Sequence, residues 1–213
     1  METNKGWFIA IEGNIGSGKS TLANSLSKDW GAALVLEQFE DNSFLPKFYQ
    51  DPERYAFPLE MSFLAGRFNQ LIEKLPQGDL FYPSHVADYS ILKSLIFARI
   101  TLNDDEYRLH LRMFEIIDAQ IRKPDLIVYL HRPVEVLLEN IRKRGRSYEL
   151  EIDDDYLNRI QEGYLEYFKS IPDQPVLILE MGSIDFENNA LQYGAVKELI
   201  SRGYGPGIYK IRL

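Results

Sequence analysis

A chain of 213 residues, 45% of them hydrophobic, is long enough for one domain with a sizeable core, and its net charge of −8 argues against a nucleic-acid polymer as a partner. It has no cysteine, which excludes a disulfide frame and a cysteine metal site, and no apolar run long enough to span a membrane. Met1–Trp7 carries no signal-peptide pattern, so a cytoplasmic location without membrane contact is expected.

Phe8, Ile9, Ala10 and Ile11 read as a buried strand, and Thr21, Leu22, Ala23 and Leu26 as a helix. Between them Gly13, Asn14, Ile15, Gly16, Ser17, Gly18, Lys19, Ser20 and Thr21 fit the pattern G-x-x-x-x-G-K-[ST] at every fixed position. Glycines in such a loop let successive backbone N–H groups turn inward around an anion, and the helix that follows adds its positive end. Lys19 can reach the outer phosphates of a nucleoside triphosphate, and the Ser20 hydroxyl can ligate Mg²⁺.

Ala33–Leu36 reads as a second strand that ends at Glu37, followed by a loop with Asn42, Ser43 and Pro46. A long helix is predicted from about Glu53 to Leu75, with Phe57, Met61, Leu64, Phe68, Leu71 and Leu75 as its apolar stripe. Pro58 sits in its first turns or marks a kink, and Pro76 and Gly78 stop it. His85–Asp88 is a short third strand, and Ile91–Thr101 a helix apolar on several sides, hence deeply buried. Asn103-Asp104-Asp105 is a start signal for a helix over Glu106–Arg122. Leu126–Leu130 is the fourth strand. Pro133 opens the helix Val134–Lys143, which Arg144-Gly145-Arg146 breaks. Asp153–Ile171 is helical with Leu157, Ile160, Tyr164, Phe168 and Ile171 on one face. Val176–Leu179 is the fifth strand, and the last helix runs from about Glu187 to Ser201. Strands alternating with helices predict an α/β fold over residues 1–213: a doubly wound, five-stranded parallel sheet flanked by helices. Ligands of such sheets gather at the carboxyl ends of the strands, where the glycine loop, Glu37 and Asp88 fall.

No guanine-reading N-K-x-D motif follows a strand, and the chain is too short for a helicase or transporter architecture, which leaves a small kinase. A phosphate acceptor needs cations to hold it, whereas an alcohol benefits from a general base. Glu37, Glu60 and Asp88, with Arg67 beside them, favour an alcohol. Glu37 also suits a solvated strand end, and Asp88 a helix N-cap. Glu60 and Arg67 lie two helical turns apart, so their side chains can meet near one ligand or form a surface pair of little value. The cluster Arg142-Lys143-Arg144-Gly145-Arg146 fits an anion clamp or a helix end that answers the dipole. Phe39 and Phe97 offer flat faces for a base, or plain core. The three histidines have no metal-ligand spacing.

Over nearly its whole length the chain resembles the deoxynucleoside kinases, especially their bacterial purine-preferring members. The glycine loop is close to that family's version, and Glu37 falls where the family keeps its catalytic base. Tyr49-Gln50-Asp51-Pro52-Glu53-Arg54-Tyr55-Ala56-Phe57 is similar to a segment whose tyrosine holds the sugar. Ile96-Phe97-Ala98 matches a stretch whose phenylalanine stacks on the base. Glu60 stands at the base-reading position with Arg67 seven residues on, and residues 142–152 look like an arginine lid. Departures accompany the likeness. The family's acid-Arg-Ser triplet reads Asp88-Tyr89-Ser90, its base-reading glutamine is Glu60, and Asn140 takes an earlier lid position. The glutamate that meets the sugar 3′-hydroxyl in some members has no match near Met181-Gly182-Ser183.

The resemblance implies a P-loop kinase fold, with MgATP on residues Gly13–Thr21 and Asp88 supporting the metal through its water shell. Glu37 would take the proton of a deoxynucleoside 5′-hydroxyl, while Arg142, Arg144 and Arg146 close on the donor phosphates. An ionised Glu60 offers only acceptors, which matches the adjacent donors of guanine, and Arg67 would keep it ionised and donate to the purine. A homodimer through the helices Ile91–Thr101 and Glu106–Arg122 is also implied. Two rivals stand beside this reading: a nucleoside monophosphate kinase of the thymidylate kinase type, and a non-catalytic nucleotide-binding protein.

Overall fold

The computed structural model describes residues 6–38, 42–75 and 84–213. In chain order its elements are β1 (Phe8–Gly13), α1 (Lys19–Trp30), β2 (Ala33–Val35), α2 (Leu45–Gln50), α3 (Pro52–Lys74) and β3 (His85–Ala87). They continue with α4 (Leu92–Thr101), α5 (Asp104–Asp118), β4 (Leu126–His131), α6 (Val134–Arg144), a 3₁₀ turn at Ser147–Glu149 and α7 (Asp154–Ser170). The chain then runs through β5 (Pro175–Glu180), α8 (Ala190–Ile200) and β6 (Gly207–Arg212).

The central strands are apolar on both faces, which dictates helices on both sides. Along β1, Phe8 and Ala10 enter one core, while Ile9 and Ile11 enter the other. β4 alternates in the same way, with Ile127 and Tyr129 opposed to Val128 and Leu130. The first core packs against α3, α4 and α7 through Leu64, Leu71, Leu95, Ile96, Ile160 and Phe168. The second packs against α1 and α8 through Leu22, Leu26, Val196 and Leu199. All neighbouring strands are parallel in the order β2-β3-β1-β4-β5-β6, with Ala10 in register with Ala87 on one side and Ile127 on the other. The order reverses direction at β1, so its carboxyl end opens the crevice that holds the glycine loop.

The sheet has six strands among the described residues, one more than the five expected. β6 is an edge strand with Ile208 and Tyr209 exposed, so it lacks the solid apolar run that marks an inner strand. The segment expected as a loop around Pro46 is the helix α2, whose Phe48 is buried against Ala56 and Leu59. The buried arc of α3 is also rotated from the expected stripe. Ala56, Leu59, Glu60, Leu64, Arg67 and Leu71 face inward, while Phe57, Met61 and Phe68 are half-buried. The helix runs through Pro58 without stopping, and the stop expected at Pro76 and Gly78 lies outside the described residues.

The helix boundaries follow their caps. Asn103 Oδ1 accepts from the backbone N–H groups of Asp105 and Glu106, and Glu106 reaches back to the Asn103 N–H, a complete capping box on α5. Asn103→Ala is expected to cost about 1 kcal/mol of unfolding free energy, measured by urea denaturation. No loss would remove the box from the account of α5.

Candidate active site

The glycine loop needs backbone that only glycine adopts easily. Gly16 and Gly18 have φ of 79° and 92°. A Cβ at Gly16 would lie 2.7 Å from the Leu137 carbonyl, and one at Gly18 would lie 2.9 Å from the Phe186 ring. Asn14 pins the loop to α7: its Nδ2 donates to the Leu157 carbonyl at 2.7 Å, and its Oδ1 accepts from the Ile15 N–H. Asn14 is thus buried scaffolding, and Ile15 faces the acceptor side, so neither lines the cleft assigned to ATP. That cleft, about 830 Å³, is lined by Gly16–Thr21, Arg132, Asn140, Lys143 and Phe186 among others. Ser17 Oγ is buried with no partner among the described residues. Arg132 lies over the Phe186 ring at 5.5 Å and donates to the Ser17, Gly182 and Ile184 carbonyls. No sequence signal had singled it out.

A second cavity opens on the other side of Lys19 and Ser20. It is lined by Glu37, Tyr49, Glu60, Arg67, Asp88 and Phe97 from the expected set, with Lys93, Glu149 and Tyr156 added. Lys19, Ser20, Arg144 and Arg146 line both cavities and form their common wall. Arg142 is exposed and lines neither, because helical spacing turns it away from the side of Asn140 and Lys143. Phe39 lies outside the described residues.

Glu37 follows β2 and is the charged centre of this cavity. Its Oε1 accepts from Arg67 Nε at 2.8 Å and Nη2 at 2.6 Å, and its Oε2 pairs with Lys93 Nζ. It is therefore not a solvated strand end. Burial by itself would raise its pKa, but the charges of Lys93 and Arg67 outweigh that and hold it down to about 2. Arg67 is 4% exposed and also donates to Ser94 Oγ at 2.7 Å, so its fork is committed to Glu37 and Ser94. Arg67 and Glu60 line one cavity, as their spacing allows, but the hydrogen bonds of Arg67 go to Glu37 and Ser94 rather than to Glu60.

Glu60 is buried in the same cavity. Oε1 accepts from Thr101 Oγ1 at 3.2 Å, and Oε2 has no hydrogen-bond partner among the described residues. Burial raises its pKa to about 7 against the lowering charge of Arg67, so it is not held firmly ionised as the sequence suggested. Asp88 is not a helix N-cap. Its Oδ1 accepts from the Glu37 N–H at 2.7 Å, and its Oδ2 accepts from Ser20 Oγ. This hydroxyl and carboxylate form a hard oxygen pair beside the glycine loop, which fits a Mg²⁺ ion. Lys19 is half-buried and donates to the Asn14 carbonyl at 2.8 Å. Burial, then the nearby Lys93 charge, lowers its pKa to about 8.

Tyr49, on α2, stacks on Tyr148 with ring centres 6.1 Å apart. Burial, then the Glu149 carboxylate, pushes its phenol pKa well up. Glu149 is buried between Arg144, at 2.5 Å, and Arg146, at 3.4 Å. A buried carboxylate that the sequence had not singled out, Glu149, thus stands beside Tyr49 in the cavity lining, three residues after Arg146. Its signal was a glutamate closing a basic cluster. Phe97 stands at the cavity wall as expected, with Lys93 Nζ 5.5 Å from its ring centre. Among the described residues no group of three metal-ligating side chains occurs, so any cation here relies on few protein ligands.

A glycine loop at the crevice of a parallel sheet, with donor and acceptor cavities meeting at Lys19, defines a P-loop phosphotransferase. The family model described as deoxynucleoside kinase matches residues 9–202, and the chain belongs to the deoxynucleoside kinase family. It is 36% identical to a deoxyguanosine kinase of Bacillus subtilis (strain 168) over 91% of this chain and 97% of that one. It is 33% identical to a deoxyadenosine kinase of Dictyostelium discoideum over 78% of this chain and 69% of that one. Its fold matches a solved deoxyadenosine kinase from M. mycoides with bound dATP at a TM-score of 0.76 and 23% identity, covering 91% of this chain and 98% of that one.

The Glu37 cluster makes stability pH-dependent with a definite sign. A folded-state pKa of about 2 against an ordinary 4.5 stabilises the fold above pH 4.5, and that contribution fades as pH falls toward 2. The gap in unfolding free energy between wild type and Glu37→Gln is expected to be on the order of 3 kcal/mol at pH 7 and clearly smaller at pH 3. A gap that stays constant over this range would show that the pairing is not there.

Proposed function

We propose that the chain transfers the γ-phosphoryl group of ATP to the 5′-hydroxyl of a purine deoxynucleoside, giving the monophosphate. The observation that carries this reading is the wall of Lys19, Ser20, Arg144 and Arg146 common to both cavities, where a phosphoryl group can pass from one to the other. The α1 N-terminus and the loop N–H groups hold the triphosphate, and Lys19 faces its outer phosphates. Ser20, with Asp88 acting partly through water, would hold Mg²⁺, which would supply positive charge against the phosphates. Arg144 and Arg146 act as the lid on the transferring group. Glu37 receives the proton of the attacking hydroxyl. A carboxylate held as low as about 2 accepts that proton only as the phosphoryl group arrives, which suits a loose transition state.

The acceptor cavity fits a nucleoside better than a nucleoside monophosphate. Arg67 and Lys93 both pair with Glu37, and Arg144 and Arg146 both pair with Glu149, so these cations already have carboxylate partners, while each group keeps one net positive charge. An acceptor phosphate would have to displace a carboxylate, whereas hydroxyl groups can donate to both. Tyr49 and Glu149 lie together to meet the sugar 3′-hydroxyl, with Tyr49 crowding a 2′-hydroxyl. Phe97 stacks on the base and Glu60 reads its edge. The names of the two relatives, a deoxyguanosine and a deoxyadenosine kinase, favour purines. Leu109, Met113 and Ile116 form an exposed apolar row on α5, which suits a homodimer face. No helix among the described residues is long and apolar enough to cross a membrane, and we place the enzyme in the cytoplasm.

The test is ATP-dependent release of ADP against all nucleosides, deoxynucleosides and their monophosphates. Turnover should appear with purine deoxynucleosides, and Lys19→Ala should lower it by about a hundredfold or more. Turnover on monophosphates alone, or none with any acceptor, would sink the reading.

Glu60 adds a sharper expectation. Below pH 7 it is protonated and offers a donor and an acceptor, as an amide does. Above pH 7 it is ionised and only accepts, which suits the N1–H and amino donors of guanine. The ratio of kcat/KM for deoxyguanosine over deoxyadenosine should therefore rise several-fold from pH 6 to 8, in line with about 1–3 kcal/mol for an unmatched buried polar group. Glu60→Gln should flatten this profile and shift preference toward deoxyadenosine. A wild-type ratio independent of pH would mean that Glu60 does not read the base.

A further inference from the structure

We propose that Lys93 is a further catalytic residue, whose ammonium group takes hold of the phosphoryl group as it reaches the acceptor oxygen. The inference rests on the phosphoryl-transfer reading above. Lys93 is the second residue of α4, and its side chain is 11% exposed. A cation in the first turn of a helix opposes the helix dipole, and burial adds a desolvation cost. The fold does not need it there to neutralise Glu37, because Arg67 already delivers two N–H groups to Oε1. Lys93 instead holds the other oxygen, Oε2, and lines the acceptor cavity next to Lys19. Lys19 and Lys93 thus bring two ammonium groups to the lining of one cavity, where an anionic phosphoryl group would arrive. No other cation takes this part of α4 or the segment before it. Tyr89 is fully buried and its hydroxyl donates to Gln70 at 2.6 Å.

The charges balance through the step. The bond between the γ-phosphorus and the β–γ bridging oxygen breaks, and its electron pair leaves with ADP. A new phosphorus–oxygen bond forms to the 5′-oxygen, whose proton passes to Glu37 Oε2. Glu37 is then neutral, and Lys93 has lost its counter-ion at the moment an anionic phosphoryl group arrives beside it. A lysine ammonium on its flexible stem can exchange the carboxylate for a phosphoryl oxygen. The Arg67 fork, fixed by both Glu37 and Ser94, cannot follow.

The test uses Lys93→Met and Lys93→Arg in the full chain, with kcat, the nucleoside Kd and the product-monophosphate Kd measured for each. Lys93→Met should lower kcat by about a hundredfold. It should weaken monophosphate binding by about tenfold or more, with nucleoside binding changed by less than about threefold, and Lys93→Arg should recover part of both losses. Equal losses for nucleoside and monophosphate, or kcat within about threefold of wild type, would overturn the proposal. A measurement on the wild type does not depend on the variants folding. With ¹⁵N-labelled lysine, the Lys93 Nζ resonance should move on adding the monophosphate and not on adding the nucleoside, and identical responses would overturn the proposal. Absence of acceptor-dependent turnover in the wild type would overturn the phosphoryl-transfer reading together with this one. Wild-type turnover with an indifferent Lys93→Met would overturn only this one.

Discussion

The carboxylate of Glu37, gripped by Arg67 on one oxygen and Lys93 on the other, is the interaction on which the site depends. Each of the three charges would be costly to bury alone. Together they join the end of β2 to α3 and α4, the two helices that wall the acceptor cavity. The backbone N–H of Glu37 extends the link, because it donates to Asp88, whose other oxygen accepts from Ser20 at the start of α1. One chain of polar contacts thus runs from the acceptor cavity to the glycine loop.

A second buried carboxylate lies beneath this chain. Glu12, one residue before the glycine loop, accepts from the Ser90 N–H at 2.6 Å, Ser90 Oγ at 2.7 Å and Tyr164 OH at 2.8 Å. Burial raises its pKa against the pull of these donors. It touches neither cavity, so its part is positional: it ties the end of β1 to the segment after Asp88 and to α7. Asn14, pinned to Leu157 on the same helix, completes the fastening. The loop can therefore present its N–H groups without a ligand to shape it, which is what preorganised phosphate binding requires.

How far the chain could be read depended on the range of each signal. The glycine loop, the apolar strands and the one-sided face of α7 are local patterns, and each appears where its period placed it. The pairing within the site is not local. Glu60 and Arg67 share one face of α3, and spacing alone joined them, but the partner of Arg67 is Glu37, 30 residues earlier, which only the approach of α3 to the segment after β2 reveals. Lys93 was hidden by its setting, since a lysine inside an apolar helix reads as an exception rather than a site residue. Nothing local marks Glu149 as buried, because in sequence a carboxylate after a basic cluster reads as a surface ion-pair partner. Charge density in the sequence likewise does not say which way each side chain of α6 turns, and Arg142 is exposed and lines neither cavity.

Glu60 shows why residue type alone underdetermines recognition. As a glutamate in water it would be a pure acceptor, and the match to guanine would follow from its formula. In the cavity, burial opposes its charge more strongly than Arg67 supports it, since Arg67 spends its nearest contacts on Glu37. The carboxyl pKa is therefore raised to about 7, with Oε2 buried and without a partner among the described residues. An unpaired buried oxygen destabilises the free protein by about 1–3 kcal/mol, and a ligand that supplies the missing donor relieves it. On the proposed function, the edge that binds best would be set jointly by the base and by the proton on Glu60. One side chain would then read two hydrogen-bond patterns, because the nearest contacts of Arg67 go to Glu37 and not to Glu60.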